Sequence, residues 1–287
     1  MYKNLKNKEI EFIFYNDVNY PEILKEIANP PIGFFKKGNI PDLSNSIAIV
    51  GARKASDYGK TTAYNIAYEL AKRDITIISG MARGIDTSAH KGAIDANGNT
   101  IAVLGSGFDN IYPAENYGLS ETISEHGCLI TEYLPNVKPL SYNFPERNRI
   151  ISGLAQKILV IEAGERSGSL ITAGFALEQG KDVFAVPGNI FSPYSKGTNN
   201  LIKDGAKLIS NIEDILEEYN LKKEDYKIKN LDEVEKEIVN ILKSGAVSLE
   251  YLIENINYEM KLTLSTLSKL ECKKIIKKTY GNYYILY

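Results

Sequence analysis

Two arginines flank an asparagine in the segment 144–151, which begins with Phe144 and continues as Pro-Glu-Arg-Asn-Arg-Ile-Ile. Guanidinium groups bind phosphate through paired N–H donors, and a helix that starts here adds its own backbone N–H groups. Phe144 would let a nucleobase stack beside these cations, as in single-strand binders, and a place in the core suits it equally. Because Arg147 and Arg149 lie two positions apart, they cannot share a helix face. We therefore expect one to reach a ligand and the other to hold the loop to a carboxylate such as Glu162.

A second phosphate-type loop follows the apolar run 47–50. It combines a tight turn at Gly51, an arginine-lysine pair that starts at Arg53, and a helix start capped by a hydroxyl or carboxylate side chain. The loop is not a dinucleotide fingerprint, because Arg53 occupies the place of the second glycine. It is not a Walker A loop either, because seven residues rather than four separate Gly51 from Gly59. These features favour a site for one phosphate, and an ordinary surface arginine beside a turn is the alternative.

Three further strand ends carry glycine and hydroxyl residues whose backbone N–H groups could bind anions. They contain Ser79, Gly80 and Arg83 in the first, Gly105 and Gly107 in the second, and Ser167, Gly168 and Ser169 in the third. One such turn is weak evidence, because glycine and serine are common in all strand-to-helix loops. Four of them on one edge of a sheet would indicate a polyanion site.

The elements that must position these loops are visible in the hydrophobic pattern. Apolar β-type runs at 47–50, 76–79, 100–104, 129–131, 157–161, 182–186 and 207–209 alternate with amphipathic helical segments. This alternation predicts an α/β fold with a Rossmann-like, doubly wound parallel sheet. Ligands of such sheets bind at the carboxyl ends of the strands, so the loops above should meet at one edge.

The same pattern divides the 287 residues into four parts. Residues 1–44 are interpreted as a lead-in segment, 45–219 as the Rossmann-like domain, 220–230 as a charged linker, and 231–287 as a small C-terminal domain. The small domain contains three predicted helices at 232–243, 248–256 and 258–275, and a strand pair over 276–287 around Gly281 and Asn282. Three helices and a hairpin suggest a winged helix, and a packing domain without DNA contact is the alternative.

Composition narrows the function classes. With 34 basic and 36 acidic side chains the formal net charge is −2, so a polyanion site must be local. No apolar run is long enough to cross a bilayer and no secretory signal is evident, so we expect a cytoplasmic protein without a membrane partner. The two cysteines, Cys128 and Cys272, have no CxxC or histidine companion, and no cluster has metal-ligand spacing. We expect no metal, no cofactor and no catalytic residues.

The motifs of the large domain closely resemble those of the DNA-processing protein A (DprA, also called Smf) family. The matching residues are Gly51, Ala52 and Arg53 with Ser56, Tyr58 and Gly59; 79–86 with Ala89 and His90; Tyr112-Pro113; Glu132-Tyr133; 144–151; Glu162-Ala163; 167–173; and 186–189. The resemblance extends from about Tyr20 to Tyr219, and so many ordered motifs make chance a poor explanation.

This resemblance implies an extended Rossmann fold and a homodimer that is not an enzyme. It implies a protein that binds single-stranded DNA, protects incoming DNA and loads the RecA recombinase during natural transformation. The phosphate-pocket arginine of the family corresponds to Arg53, and its second basic contact corresponds to Lys138. The expected DNA-contacting set is Gly51, Arg53, Ser79, Gly80, Arg83, Lys138, Phe144, Arg147, Asn148, Arg149, Ser167, Gly168 and Ser169. The winged helix resembles the variable C-terminal domain of many members, whereas 1–44 is too short for the helical N-terminal domain of longer ones.

The competing hypothesis is a nucleotide-handling protein, because the fold also resembles that of the phosphoribohydrolases that cleave nucleoside monophosphates. Those enzymes carry a Pro-Gly-Gly-x-Gly-Thr loop that leads to a catalytic glutamate, and this chain has the residues 166–172 in its place. A third hypothesis is a sensor that binds a small nucleotide without cleaving it.

Overall fold

The computed structural model describes residues 9–220, 231–243, 245–273, 275–279 and 282–286. The chain divides into two compact units, Met1–Tyr219 and Asn220–Tyr287. Apart from Asn220, the predicted linker lies outside the described residues. Within the described parts, no helix combines the length and the apolar character needed to span a membrane.

The first unit alternates strands and helices along the chain. Its strands are β1 (Ile10–Phe14), β2 (Gly33–Gly38), β3 (Ser46–Val50), β4 (Thr76–Ser79), β5 (Thr100–Val103), β6 (Gly127–Thr131), β7 (Lys157–Val160), β8 (Asp182–Ala185) and β9 (Lys207–Leu208). Its helices are α1 (Glu22–Lys25), α2 (Asp57–Ala71), α3 (Ile85–Asp95), α4 (Tyr117–Glu125), α5 (Asn143–Leu154), α6 (Gly168–Glu178), α7 (Lys196–Lys203) and α8 (Glu213–Leu216). All seven strands predicted from the apolar runs are present.

The nine strands form one sheet in the order β1-β2-β6-β5-β4-β3-β7-β8-β9. From β6 to β9 every neighbouring pair is parallel, which confirms the predicted α/β fold with a doubly wound sheet. The strand order reverses between β3 and β7, where Val50 pairs with Val160. The loops that follow these two strands therefore open the crevice in which ligands of this architecture bind.

The central strands are apolar along their whole length because helices cover both faces of the sheet. Every residue of β3, β4, β5 and β6 is buried. Ile47, Ile77 and Ile101 have no exposed surface, and each such side chain stabilises the fold by roughly 1.5–3 kcal/mol. This core fixes where the strands end, and therefore where the loops at the carboxyl edge of the sheet begin.

The described part of the lead-in segment contributes two strands to the large sheet. β1 pairs antiparallel with β2, and β2 pairs antiparallel with β6, so residues 10–38 extend the sheet at one edge. Pairing requires burial of an apolar face, which Ile10, Ile13 and Phe34 provide. The two prolines at 30 and 31 lie between α1 and β2, where they prevent a continuing helix.

The second unit contains α9 (Glu233–Leu242), β10 (Val247–Ser248), α10 (Leu249–Asn255), α11 (Met260–Cys272), β11 (Ile276–Lys278) and β12 (Tyr283–Leu286). Its three strands form an antiparallel sheet in the order β10-β12-β11, above a core that includes Ile238, Leu252 and Leu270. The predicted helices and strand pair are present, with β10 in addition. Gly281 of the predicted hairpin turn lies outside the described residues, and the assignment to the winged-helix class stays a prediction.

Candidate nucleic-acid interface

A pocket of about 780 Å³ opens at the carboxyl edge of the large sheet, between the loops after β3 and β7. Among the described residues that line it, Arg53, Lys54, Arg147 and Arg166 are basic, and only Asp86 is acidic. The pocket is therefore positively charged on a chain whose formal net charge is −2. Such a local concentration of cations attracts a polyanion even when the whole protein is slightly acidic.

Arg53 and Phe144 form the mouth of the pocket. The guanidinium carbon of Arg53 lies 5.0 Å from the centre of the Phe144 ring, a cation–π geometry, and Tyr112 contacts the same ring at 5.6 Å. Phe144 is half-buried, and its ring lies against the backbone of Gly105, where a Cβ atom would come within 2.7 Å. Part of the ring thus packs and part faces the pocket, so neither of the two sequence interpretations of Phe144 is complete by itself.

Three of the basic side chains around the pocket are free to bind an anion. In the part of the chain that the structure describes, Arg53, Lys54 and Arg166 are exposed and form no ion pair with a carboxylate, although the charge of Arg53 acts on Asp86 from a distance. Lys138 is also exposed, in the loop whose Pro139 and Ser141 line the pocket. Binding of a phosphate to these cations costs little free energy, because no existing ion pair has to break.

Arg147 forms the floor of the pocket, and its side chain is held in place by hydrogen bonds. It is 4% exposed, and its Nη1 donates to the carbonyl oxygens of Gly80, at 2.8 Å, and of Val103. Burial lowers the pKa of Arg147 to about 10, and the nearby Asp86 opposes this shift, so the group is charged at neutral pH. Arg147 thus ties α5 to the ends of β4 and β5.

Asp86 completes this buried arrangement. Its carboxylate accepts hydrogen bonds from the backbone N–H of Gly80, at 3.2 Å, and of Ala82, at 3.3 Å. Between them Met81 adopts a left-handed backbone with φ of 62°. Burial raises the pKa of Asp86 to about 6, and Arg147 and the two N–H donors counteract part of that shift. The carboxylate of Asp86 therefore stabilises the turn between Gly80 and Ala82.

The expected partner of the second arginine was wrong. Nη2 of Arg149 binds both carboxylate oxygens of Glu132, at 2.8 and 2.9 Å, and not Glu162. Glu162 instead accepts from the backbone N–H and the hydroxyl of Ser56, at 2.9 and 2.5 Å. Its carboxylate therefore fills the N-terminus of α2, the helix start at which the sequence predicted a phosphate. A bound phosphate there would meet a like charge.

The N-terminus of α6 is the open alternative on the same edge. Ser167 caps the helix by accepting from the N–H of Ser169 at 3.4 Å, and the first turn contains no acidic residue. Asn148 donates to the carbonyl oxygen of Gly168 at 3.1 Å, which fixes this helix start against α5. Ser167, Gly168 and Ser169 all line the pocket, so the positive end of the helix faces the space between the free cations.

The remaining predicted residues have structural partners. Ser79 is fully buried and its hydroxyl donates to the carbonyl oxygen of Ile49 at 2.6 Å, so it is unavailable to a ligand. Arg83 is outside the pocket lining and binds both oxygens of Glu115 at 2.9 Å. Gly51 lines the pocket through its backbone, and Gly80 leaves room for Arg147.

The predicted DNA-contacting set omits several lining residues, among them Lys54, Tyr112, Arg166 and Tyr194, although the arginine-lysine pair of the first loop includes Lys54. Lys54 and Arg166 stand beside predicted residues in the same loops, so the rule that ligands bind at the carboxyl ends of strands would have found them. The same rule covers Tyr194, which follows β8. Tyr112 lies in a long loop without periodicity, and the one sequence signal that separates it from other exposed tyrosines is its place in the Tyr112-Pro113 motif of the resemblance.

Known proteins share this architecture and these loops. The family model of DNA recombination-mediator protein A matches residues 11–220. DNA processing protein DprA of Bacillus subtilis is 45% identical over 215 residues, which are 74% of this chain and 72% of that protein. The corresponding protein of Streptococcus pneumoniae is 43% identical over 201 residues, 70% of this chain and 71% of that one. Protein Smf of Escherichia coli is 48% identical over 200 residues, 69% of this chain and 54% of its own length.

Two solved structures agree with the fold. The X-ray structure of DNA processing protein A from Streptococcus pneumoniae matches with a TM-score of 0.70 and 40% identity, over 76% of this chain and 78% of that one. The structure of the Helicobacter pylori protein, which concerns its single-stranded DNA binding mode, matches with a TM-score of 0.67 and 28% identity, over 74% and 96%. Since the family model covers residues 11–220, which include every loop of the pocket, this chain belongs to the DNA recombination-mediator protein A family.

Proposed function

We propose that this chain binds single-stranded DNA in the pocket and acts as a recombination mediator. The observation that carries the proposal is the pair at the mouth, where the unpaired guanidinium of Arg53 lies 5.0 Å from the ring of Phe144. A nucleotide presents both a phosphate for the cation and a π-face for the ring. Lys54, Lys138 and Arg166 supply further phosphate contacts, and the start of α6 supplies backbone donors.

The geometry favours a single strand over a duplex. Phe144 is half-buried at a pocket between loops, so a base must leave its stack to reach it. In a duplex this costs a few kcal/mol of unpairing and unstacking, whereas a single strand offers its bases at little cost. The single-stranded DNA binding mode of the Helicobacter pylori relative supports this choice of ligand.

The cellular role follows from the family. As a recombination mediator, the protein would protect incoming single-stranded DNA and load the RecA recombinase on it during natural transformation, and it would do so as a homodimer. The name of the Bacillus subtilis relative, DNA processing protein DprA, and the description of the family model, recombination-mediator protein A, support the mediator part of this role.

We also propose that the protein is not an enzyme. Cleavage of a nucleoside monophosphate needs a carboxylate that is free to act at the reacting carbon. Among the described residues that line the pocket, Asp86 is the sole carboxylate, and it is bound to the N–H groups of Gly80 and Ala82. This arrangement favours binding over the phosphoribohydrolase hypothesis.

Fluorescence anisotropy with labelled oligo-dT and with a duplex of equal length tests the proposal. We expect tighter binding of the single strand. We also expect the logarithm of the affinity to fall linearly with the logarithm of the salt concentration, with a slope of about −0.7 per phosphate contact. Parallel titration with nucleoside monophosphates, with an assay for free base, separates the nucleotide hypotheses. RecA filament formation on protein-coated single strands tests the mediator role. Equal affinity for the duplex, or release of free base, would contradict the proposal.

A further inference from the structure

The loop between β8 and α7, residues 186–195, presents two bare apolar side chains at its tip. Phe191 is 87% exposed and Ile190 is 74% exposed. Single exposed apolar residues are common on protein surfaces. An almost fully exposed phenylalanine is stronger evidence of a binding surface when the loop that holds it is rigid and adjoins a binding pocket.

Hydrogen bonds hold this loop at both ends. The Asn199 side chain accepts from the N–H of Gly188 at 3.1 Å and donates to its carbonyl oxygen at 3.0 Å. At the other end, the N–H of Ala163 donates to the carbonyl oxygen of Tyr194 at 2.8 Å. The N–H of Phe191 itself donates to the side chain of Asn189 at 2.9 Å. The backbone thus positions the ring, although the ring itself packs on almost nothing.

The loop is continuous with the pocket. Pro193 and Tyr194 line the pocket, and β8 is the direct parallel neighbour of β7, whose following loop forms one pocket wall. Consecutive Cα atoms are 3.8 Å apart, so the Cα atom of Phe191 lies within about 7.6 Å of that of Pro193. Arg166, which forms no ion pair with a carboxylate in the described residues, belongs to the loop whose Gly164 lies next to Pro193, since a Cβ atom on Gly164 would come within 3.4 Å of the Pro193 carbonyl oxygen. The tip of the loop is therefore within reach of a strand that leaves the pocket past Tyr194.

We propose that Phe191 is a second stacking platform, outside the pocket, for the neighbouring bases of the bound single strand. The inference rests on the proposed function, and extends it from a pocket for one nucleotide to a path for several. A base stacks on an aromatic ring whatever its sequence, as a mediator without sequence preference requires. A phenylalanine has only two side-chain torsions to order, so stacking on a ring that the backbone already positions costs little entropy.

The length of the ligand separates this platform from the pocket. We expect Phe191→Ala to weaken binding of an oligo-dT of about 20 nucleotides by roughly 5- to 100-fold, the usual effect of removing one base–aromatic stack. Binding of a thymidine dinucleotide, which fills only the pocket, should stay unchanged. Arg53→Ala should weaken both ligands, and so serves as the contrasting variant.

A spectroscopic measurement reports the contact directly. The chain contains no tryptophan, so Phe191→Trp introduces a single tryptophan fluorophore at the tip of the loop. Its emission should be quenched when the long oligo-dT binds. The matched control is Phe14→Trp, because Phe14 is 57% exposed on β1 at the opposite edge of the sheet. That emission should not change.

The outcomes distinguish the platform from the proposed function. Binding of oligo-dT by the wild-type chain, with unchanged affinity of Phe191→Ala and no quenching of Phe191→Trp, would overturn the platform alone. A change of oligomeric state in Phe191→Ala, without a change in DNA affinity, would assign the tip to a protein contact and overturn it as well. A wild-type chain that binds no oligonucleotide would overturn the proposed function and the platform together.

Discussion

The guanidinium group of Arg147 occupies the space that a side chain at position 80 would need. A Cβ atom on Gly80 would lie 2.7 Å from Nη2 of Arg147, and Nη1 donates to the carbonyl oxygen of the same glycine at 2.8 Å. The floor of the pocket is therefore built from a buried cation, the backbone of a turn, and the Asp86 carboxylate that holds this turn from the other side.

This arrangement predicts that Arg147→Ala destabilises the fold instead of only weakening a DNA contact. The variant leaves the carbonyl oxygens of Gly80 and Val103 without this donor, and leaves the buried Asp86 without its nearby cation. Removal of one partner from such a buried set costs about 3–5 kcal/mol. Urea denaturation measures the loss, with Arg83→Ala as the control because Arg83 is exposed and its partners are Glu115, in an exposed ion pair, and Tyr112. A loss below about 1 kcal/mol would contradict the bracing role.

A second prediction concerns the free cations. Arg53→Ala and Lys138→Ala should each weaken oligo-dT binding by about 1–3 kcal/mol, because each removes a charge-assisted contact to phosphate. Neither side chain has a carboxylate partner among the described residues, so the melting temperature should stay within the error of the wild type. Anisotropy and circular dichroism measure the two effects. Lys72→Ala serves as control, because Lys72 is exposed at the C-terminal end of α2 and is outside the pocket lining. Unchanged affinity of both Arg53→Ala and Lys138→Ala would show that these cations are only surface residues.

The sequence was sufficient for the parts of the site that depend on local pattern. The apolar runs located the seven central strands, and the rule for parallel sheets brought Arg53 and the 167–169 turn to one edge. Phe144 was predicted beside them because its neighbours in the chain are basic. These inferences need only the strand ends, which a buried parallel sheet makes visible.

The fate of the charged side chains could not be predicted, because it depends on contacts between distant residues. Glu162 binds Ser56 across 106 positions, and Arg147 binds Gly80 across 67. Which of Arg147 and Arg149 points inward depends on where Glu132 lies on β6, and periodicity carries no such information. The pairing of β1 with β2 spans a shorter separation, but it joins two short runs across a connection that contains α1 and the two prolines, and local periodicity does not reveal it.

A third prediction is acid sensitivity that originates at His90. This residue is fully buried, and its Nδ1 contacts the hydroxyl of Thr100 at 2.7 Å. That hydroxyl donates to the carbonyl oxygen of Ile77, so it accepts from His90, which is then neutral with its proton on Nδ1. Burial, together with the charge of Arg147, lowers the pKa of His90 to about 3. Nε2 has no hydrogen-bond partner in the described residues, so a proton placed there is not stabilised.

The pKa of His90 differs between the folded and the unfolded state, and this difference sets the direction in which stability changes with pH. In the unfolded chain the pKa is near 6.5, so the unfolded state binds the proton first. The contribution of His90 is fully present above pH 6.5 and is lost as the pH falls toward 3, by up to about 1.4 kcal/mol per unit. The titration of Asp86 has the opposite effect on stability between pH 3.8 and about 6, because the pKa of Asp86 is raised in the folded state. Urea denaturation of wild type and His90→Gln across pH 4–7 should therefore show a stability difference that narrows with acid, and a constant difference would contradict the assignment.

The last prediction concerns the second unit. Every residue that lines the pocket lies between Val50 and Tyr194, and the chain divides into compact units at Tyr219. Two lysines of the second unit, which a DNA duplex could contact, are partly neutralised, because Lys269 and Lys273 both bind Glu235, at 3.1 and 2.6 Å, next to the capping carboxylate of Asp232. A fragment that lacks 231–287 should therefore fold, bind oligo-dT with wild-type affinity and keep the oligomeric state of the full chain. Anisotropy and light scattering on this fragment measure both properties, with Lys269→Ala in the full chain as the comparison. A large loss of oligo-dT affinity, or a monomer where the full chain is a dimer, would show that the second unit is part of the working site.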